Sequence, residues 1–163
     1  MEKKIEKVGV IGAGVMGATI AAHLANVGFD AVLLDIVPPG GLDDKDKKKG
    51  LTEDSPAFRN KFGLNGVQTA IKSKPASFYV PESKSLIKVG NLSDNLDWLG
   101  DVDWIIEVVI ENLDIKKKVF EQLESVMKPG TLITSNTSGI AAKLMCEGRT
   151  EEFRKHFAIT HFF

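Results

Sequence analysis

The sequence has little cysteine and no excess of either charge, and both shortages limit what the protein can do. Cys146 is the one cysteine in 163 residues, so no internal disulfide is available, and the Cys and His residues lack the spacing of zinc ligands. We therefore expect a reducing cytoplasm and no metal site. The 21 basic and 22 acidic residues give a formal net charge of -1, which provides no basic field for a phosphate backbone. We expect no nucleic-acid partner.

Long apolar runs are also scarce. No segment approaches the ~20 apolar residues that a membrane-spanning helix needs. Residues 8–22 form an apolar run behind two lysines, as in a secretory signal peptide, but Gly12, Gly14 and Gly17 interrupt it. Their spacing is that of a phosphate-binding loop, so we expect neither a signal peptide nor a membrane segment.

The sequence does have the length and composition of one globular domain, with 43% hydrophobic and 26% charged residues. Residues 8–11 form a short apolar run that predicts a buried strand. The apolar periodicity from Met16 to Val27 then predicts a helix, which Gly28 ends. Residues 31–36, AVLLDI, predict a second strand. The chain therefore opens with a strand-helix-strand unit.

The loop between this first strand and the helix has the pattern G-x-G-x-x-G. In that position Gly12 permits a tight turn, Gly14 leaves room for a pyrophosphate, and Gly17 lets the helix pack on the strand. Val15 and Met16 stand at the helix start, where unpaired amides attract phosphate. These five residues predict a dinucleotide site.

Asp35 ends the second strand, about 20 residues after the glycine loop, where a carboxylate accepts hydrogen bonds from the adenosine ribose hydroxyls. The same carboxylate repels a 2′-phosphate, and Ile36 and Val37 follow it without an arginine. This favours NAD over NADP. The glycine loop occurs in FAD-binding domains as well, so the loop alone leaves the cofactor open.

Beyond this unit, prolines and glycines break the chain and a run of Asp and Lys follows, so we expect 37 to about 84 to be an insertion that projects from the sheet. Regular patterns resume with strands over 104–110, 132–135 and 157–163. Helices are expected from Leu113 and between Ile140 and Glu147. Alternating strands and helices predict an α/β fold of Rossmann type, with a doubly wound, mainly parallel sheet.

Three polar residues fall at or after the carboxyl ends of these strands, where such sheets bind ligands: Glu111, Ser138 and His161. A histidine accepts a hydroxyl proton near neutral pH, as alcohol oxidation requires, so His161 is the candidate base. A structural role for His161 and a helix-capping role for Ser138 fit the sequence equally well.

Two charged residues complete the candidate set. Glu111 with Lys116 fits an ordinary surface ion pair as well as a site. Glu107 lies inside an apolar strand and therefore needs a partner or an opening, but the sequence assigns it neither.

With these residues in place, the chain resembles the N-terminal domain of the 3-hydroxyacyl-CoA dehydrogenases over nearly its whole length. Four stretches carry the resemblance: VGVIGAGVMGATIAAHLA (8–25), IEVVIENLDIKKKVFEQL (106–123), KPGTLITSNTS (128–138) and THFF (160–163). The last three are far more specific than the glycine loop.

The resemblance implies an enzyme of fatty acid β-oxidation in which NAD takes hydride from C3 of a 3-hydroxyacyl-CoA substrate. His161 matches the general base, and Ser138 matches a residue that contacts substrate and the nicotinamide side. Glu111 and Lys116 match positions that line the NAD site, and Asp35 matches the ribose ligand.

The chain departs from the family pattern at its end and in the insertion. The family continues beyond Phe163 with a glutamate that orients the histidine and a helical domain that forms the dimer. We therefore expect a fragment that binds NAD with little or no turnover, from a homodimeric parent. The insertion matches the family's CoA-binding hairpin poorly, so no CoA ligands are assigned.

Two other functions fit the same sequence. One is a non-catalytic NAD sensor, whose ligand alters its interactions with a partner. The other is a dehydrogenase of other 3-hydroxy acids, in which the same opening loop occurs. The stretches ENLDIK and THFF favour the acyl-CoA enzyme.

Overall fold

The computed structural model describes residues 4–162 and shows one parallel sheet of six strands in the order β3-β2-β1-β4-β5-β6. The strands are β1 (Lys7–Ile11), β2 (Asp30–Asp35), β3 (Ile87–Asn91), β4 (Trp104–Glu107), β5 (Leu132–Ser135) and β6 (Phe157–Ile159). This order is that of a doubly wound dinucleotide-binding sheet, so the predicted fold class is confirmed. Phe163, the last residue of the predicted final strand, lies outside the described residues.

Helices cover both faces of the sheet. They are α1 (Val15–Asn26), α2 (Asp44–Lys48), α3 (Pro56–Arg59), α4 (Lys61–Lys72), α5 (Leu113–Val126), α6 (Ala142–Cys146) and α7 (Glu151–Lys155), with short 3-10 helices at Pro81–Leu86 and Leu96–Asp101. No helix within residues 4–162 combines the length and the apolar content needed to cross a membrane.

Alternation along the central strands explains the two layers, because successive strand residues face opposite sides of the sheet. Val10 packs in a core with Ile20 and Leu24 of α1. Its neighbour Ile11 packs in the other core with Phe120 of α5. The order of the strands reverses at β1, because β2 and β3 lie on one side of it and β4, β5 and β6 on the other. This switch point opens a crevice at the carboxyl ends of the strands.

The segment expected to project after β2 in fact returns to the sheet. Its main helix, α4, packs along α1 and reaches β2 and β3. Small residues permit this approach: a Cβ on Gly63 would lie 2.5 Å from Val89 Cγ1 of β3. The segment also leads into β3, a strand that the sequence patterns did not reveal.

Two predicted strands end earlier than expected. β4 ends at Glu107 because that side chain accepts the Val109 amide hydrogen at 2.7 Å and turns the chain. β6 ends at Ile159, and the chain beyond it is held by a side chain, since the Phe162 amide donates to Asn136 Oδ1 at 2.7 Å. Both turns carry the chain into the crevice region.

Candidate cofactor site

A cavity of about 550 Å³ lies at the carboxyl ends of β1, β2 and β4. The glycine loop and Asp35 form one wall, and the segment after β4 forms another. Its lining residues are Gly12, Ala13, Gly14, Val15, Asp35, Ile36, Phe62, Asn65, Gly66, Thr69, Leu92, Val108, Val109, Ile110, Ile115 and Val119. Ligand sites in such sheets form at this position.

The structure explains in a different way why glycine stands at each of the three positions of the loop. Gly12 has φ +104°, and a Cβ there would lie 2.6 Å from the Val108 carbonyl oxygen. A Cβ on Gly17 would overlap the Gly12 carbonyl oxygen, so α1 packs as closely on the loop as backbone allows. Around Gly14, by contrast, no atom lies within 4 Å of a Cβ position. The space above Gly14 is therefore open to a ligand at the start of α1.

The start of α1 offers unpaired backbone amides to that space. Gly14 is the N-cap and provides no side-chain hydrogen bond. Val15 is 74% exposed and Met16 is 37% exposed. Free amides at a helix N-terminus attract anions such as a pyrophosphate.

Asp35 reaches back to the glycine loop. Its Oδ2 accepts the Ala13 amide hydrogen at 2.6 Å, and its Oδ1 accepts that of Ile36 at 2.7 Å. The half-buried carboxylate therefore stays beside the cavity, where a ribose diol can reach it.

Helix α4 closes the cavity from the side opposite β4. Phe62, Asn65 and Thr69 of α4 line it. Gly66 makes the closest approach, since a Cβ there would lie 2.5 Å from the Ala13 carbonyl oxygen. The sequence shows a weak helical pattern after Pro56, but this pattern does not reveal where the helix packs, so α4 was not assigned to the site from the sequence.

The segments after β4 and β5 are joined by Glu111. Its Oε1 accepts hydrogen bonds from the Thr137 hydroxyl and from the Gly139 amide, the latter at 3.2 Å. These are the two neighbours of Ser138, whose side chain is exposed. The Thr137 hydrogen bond, followed by that of Gly139 and the charge of Lys116, holds the pKa of Glu111 below its ordinary value.

The segments after β5 and β6 are joined by Asn136, which accepts the Phe162 amide hydrogen. His161 therefore lies in the exposed segment next to the turn that carries Ser138. The structure thus places Glu111, Ser138 and His161 on the three adjacent segments that follow the carboxyl ends of β4, β5 and β6. Asn136 and Thr137 lie within the stretch KPGTLITSNTS (128–138), but their bridging roles depend on contacts that a sequence does not display.

Glu107 has a buried partner, which answers the question that the sequence left open. Lys116 Nζ lies 2.8 Å from Glu107 Oε1 and 2.9 Å from Oε2, and both side chains are 0% exposed. Lys116 was expected to line the cofactor site, but its ammonium group is turned into this pair. It lies 3.5 Å from Glu111 Oε2, so the Glu111–Lys116 pair is not an ordinary surface ion pair.

The helix-capping alternative for Ser138 does not hold. Helix α6 begins after Ala141, which has no side-chain cap. In the preceding turn it is Thr137 Oγ1 that accepts the Ile140 amide hydrogen, at 3.3 Å. Of the predicted cofactor residues, Gly12, Gly14, Val15 and Asp35 line the cavity.

Known proteins are similar in sequence to this chain over nearly its whole length. Residues 7–163 match the family model described as "3-hydroxyacyl-CoA dehydrogenase, NAD binding domain". A Bacillus subtilis protein named "Probable 3-hydroxyacyl-CoA dehydrogenase" is 47% identical over 100% of this chain, and a "3-hydroxybutyryl-CoA dehydrogenase" of Bradyrhizobium diazoefficiens is 34% identical over 86%. The chain spans 20% and 42% of the lengths of these two relatives.

Solved structures show the same fold. The crystal structure of (S)-3-hydroxybutyryl-CoA dehydrogenase from Ralstonia eutropha superposes with a TM-score of 0.66 at 27% identity, covering 98% of this chain and 50% of that one. The 3-hydroxybutyryl-CoA dehydrogenase of Escherichia coli gives a TM-score of 0.65 at 26% identity, over 99% of this chain and 30% of that one.

Proposed function

This chain belongs to the NAD-binding domain family of the 3-hydroxyacyl-CoA dehydrogenases, and we propose that it is the cofactor half of an enzyme that oxidises 3-hydroxyacyl-CoA to 3-ketoacyl-CoA. One observation carries the proposal: the segments that bear Glu111, Ser138 and His161 are hydrogen-bonded to one another at the carboxyl edge of the sheet, where the cavity beside the glycine loop also lies.

The cavity fits NAD by its donor set. The open space above Gly14 suits a pyrophosphate on the amides of Val15 and Met16, with Gly12 and Gly17 keeping the loop tight. When bound, NAD accepts the hydride, which is the one redox step that the reaction needs.

Two carboxylates and a hydroxyl complete the proposed cofactor site. Asp35 accepts hydrogen bonds from the adenosine ribose, which disfavours a 2′-phosphate. Glu111 and Ser138 belong to the opposite end, on the nicotinamide side. Lys116 belongs to the nicotinamide side of the site as well, where it is buried beside Glu107.

His161 is the proposed general base. Its imidazole would take the proton of the substrate hydroxyl when C3 is oxidised, so that the C–O bond becomes a carbonyl. Ser138 orients that oxygen from the neighbouring turn. A general base of this kind contributes about 10²- to 10⁴-fold to the rate.

We also propose the cellular setting. A reducing cytoplasm is supported by the single cysteine, and a place in β-oxidation by the chemistry of the acyl-CoA substrate. The relatives extend well beyond the matched region, which supports further chain in the parent protein. By the family resemblance we propose that this part is a helical domain that completes the acyl-CoA pocket and forms a homodimer. Under this proposal residues 1–163 are the NAD-binding domain.

The test is an NADH-formation assay on the full gene product that contains this chain, with 3-hydroxybutyryl-CoA and NAD. Free 3-hydroxybutyrate, supplied in parallel, distinguishes a dehydrogenase of other 3-hydroxy acids. We expect turnover of the thioester alone, and loss of it in His161→Gln. The matched control is His156→Gln. His156 lies just before the start of β6, whereas His161 lies beyond its end, so this variant is expected to retain activity.

Three results would contradict the proposal: full activity in His161→Gln, preference for the free acid, or no turnover by a gene product that still binds NADH. The last result would identify a sensor.

A further inference from the structure

We infer that Glu107 is a positioning residue of the cofactor site and that Lys116 serves the site through Glu107 rather than by touching the cofactor. The inference rests on the proposed NAD binding and adds the device that shapes the cavity wall. Glu107 ends β4, the strand beside β1 at the switch point of the sheet.

The Glu107 carboxylate accepts four hydrogen bonds from three donor groups in a fully buried position. Its Oε1 accepts from the Val109 amide at 2.7 Å and from Lys116 Nζ at 2.8 Å. Its Oε2 accepts from Lys116 Nζ at 2.9 Å and from the Ser135 hydroxyl of β5. The carboxylate therefore joins β4, β5, α5 and the segment after β4.

The pair fixes the backbone of Val109 on both sides. Glu107 accepts the Val109 amide hydrogen, and the Val109 carbonyl lies 3.5 Å from Lys116 Nζ. Val108, Val109 and Ile110 all line the cavity. The ion pair lies directly behind this wall and determines the path of its backbone.

Stability alone does not explain an ion pair at this place. Removing two charges from water costs about as much as their attraction returns, so a well-packed apolar pair serves a core equally well. An apolar pair, however, leaves the Val109 amide without an acceptor. The feature that only the polar pair provides is the conformation of residues 108–111, which include Glu111.

The test compares two neutral double variants that differ in one acceptor. Glu107→Gln/Lys116→Met keeps a carbonyl oxygen for the Val109 amide, whereas Glu107→Met/Lys116→Met removes it. Both abolish the ion pair without leaving a buried charge. NADH dissociation constants are measured by nicotinamide fluorescence, and folding by thermal denaturation monitored by circular dichroism.

We expect the Gln/Met variant to bind NADH nearly as tightly as the unaltered chain and the Met/Met variant to bind it roughly 3- to 10-fold more weakly, the effect of one hydrogen bond. The control is Glu124→Met/Arg149→Met, which removes a pair that is 14% and 15% exposed at the other end of α5. It is expected to lower stability and to leave NADH affinity unchanged.

Equal affinity in the unaltered chain and a folded Met/Met variant would overturn the inference, since the pair would then serve folding alone. Equal loss in both doubles would also overturn it, because the effect would then come from Lys116 itself, through the cofactor, Glu111 or the Val109 carbonyl, and not through Glu107. If Met/Met fails to fold, the inference is overturned as well, because the acceptor for the Val109 amide would then serve folding. Weak NADH binding by a folded Gln/Met variant also contradicts it. An unaltered chain that binds no NADH would refute the proposed function itself.

Discussion

Asp35 and Ala13 are joined by a 2.6 Å hydrogen bond from the Ala13 amide to the Asp35 carboxylate, so the end of β2 and the glycine loop form one unit. The carboxylate that recognises a ribose is thereby held at the loop that receives the pyrophosphate. Cofactor choice and loop geometry are consequently coupled at this point.

Replacing Asp35 by serine is expected to weaken NADH binding and to reduce the discrimination against NADPH. Hydrogen bonds to a charged group are lost and the repulsion of a 2′-phosphate disappears, so we expect a loss of roughly 10- to 100-fold for NADH. Fluorescence titration with both dinucleotides measures this. Asp30→Ser, at the exposed opposite end of β2, is the control and retains wild-type affinities. An unchanged NADH/NADPH ratio in Asp35→Ser would remove Asp35 from the site.

Alanine at Gly14 is expected to weaken NADH binding, whereas alanine at Gly17 is expected to destabilise the fold. Gly14 has φ -62° and open space around a Cβ, so Gly14→Ala folds normally but obstructs the pyrophosphate. Gly17→Ala forces a methyl group against the Gly12 carbonyl, so it destabilises the fold by about 1–3 kcal/mol. Thermal denaturation and NADH titration of both variants separate folding from binding. Tight NADH binding by Gly14→Ala would show that the cofactor does not pass over this position.

Gly66→Ala in α4 is expected to destabilise the protein, although alanine normally stabilises a helix by ~1 kcal/mol relative to glycine. The new Cβ would lie 2.5 Å from the Ala13 carbonyl oxygen and 3.2 Å from Ala18 Cβ, and a backbone oxygen has little freedom to move. Chemical denaturation gives the free energy of unfolding. Gln68→Ala, on the exposed side of α4, serves as the control and should be neutral or stabilising. A stabilised Gly66→Ala would mean that α4 does not pack against the glycine loop.

The stability of the fold is expected to depend on acid pH through Asp103, which lies just before β4, at the end of the strand away from the cofactor site. The Lys128 ammonium group 2.9 Å away, with the Glu6 amide, lowers the pKa of Asp103 from 3.8 to about 2. A carboxyl whose pKa falls on folding contributes stability above its unfolded pKa and loses it as the pH drops from 3.8 toward about 2. Asp103→Asn should therefore be less stable at neutral pH and should lose less stability over that window.

Urea denaturation across this pH range makes the comparison, with Glu121→Gln on the exposed face of α5 as the control. If Asp103→Asn follows the same pH curve as the unaltered protein, the contact of Asp103 with Lys128 contributes nothing to stability.

The opening unit could be predicted from the sequence because its signals are local. The turn at Gly12, the helix after it and the carboxylate at Asp35 all follow from spacing within about 30 residues. The ends of β4 and β6 could not be predicted, because they depend on contacts of Glu107 and Asn136 across the sheet.

The insertion was the least predictable part of the chain. Lys88 interrupts the apolar pattern of β3, and Gly63 and Gly66 make α4 look like a poor helix, although both glycines are there to let it pack closely. The partner of Glu107 is equally hidden, since Lys116 reaches it only when α5 starts beside the end of β4. A carboxylate inside an apolar strand needs a partner, and for Glu107 tertiary packing supplies Lys116.

The most direct test of the account is a fluorescence titration of the unaltered chain with NADH and, in parallel, with NADPH. We predict saturable binding of NADH and markedly weaker binding of NADPH, because Asp35 accepts ribose hydroxyls and repels a 2′-phosphate. Binding of neither dinucleotide by a folded chain, or equal binding of both, would contradict it.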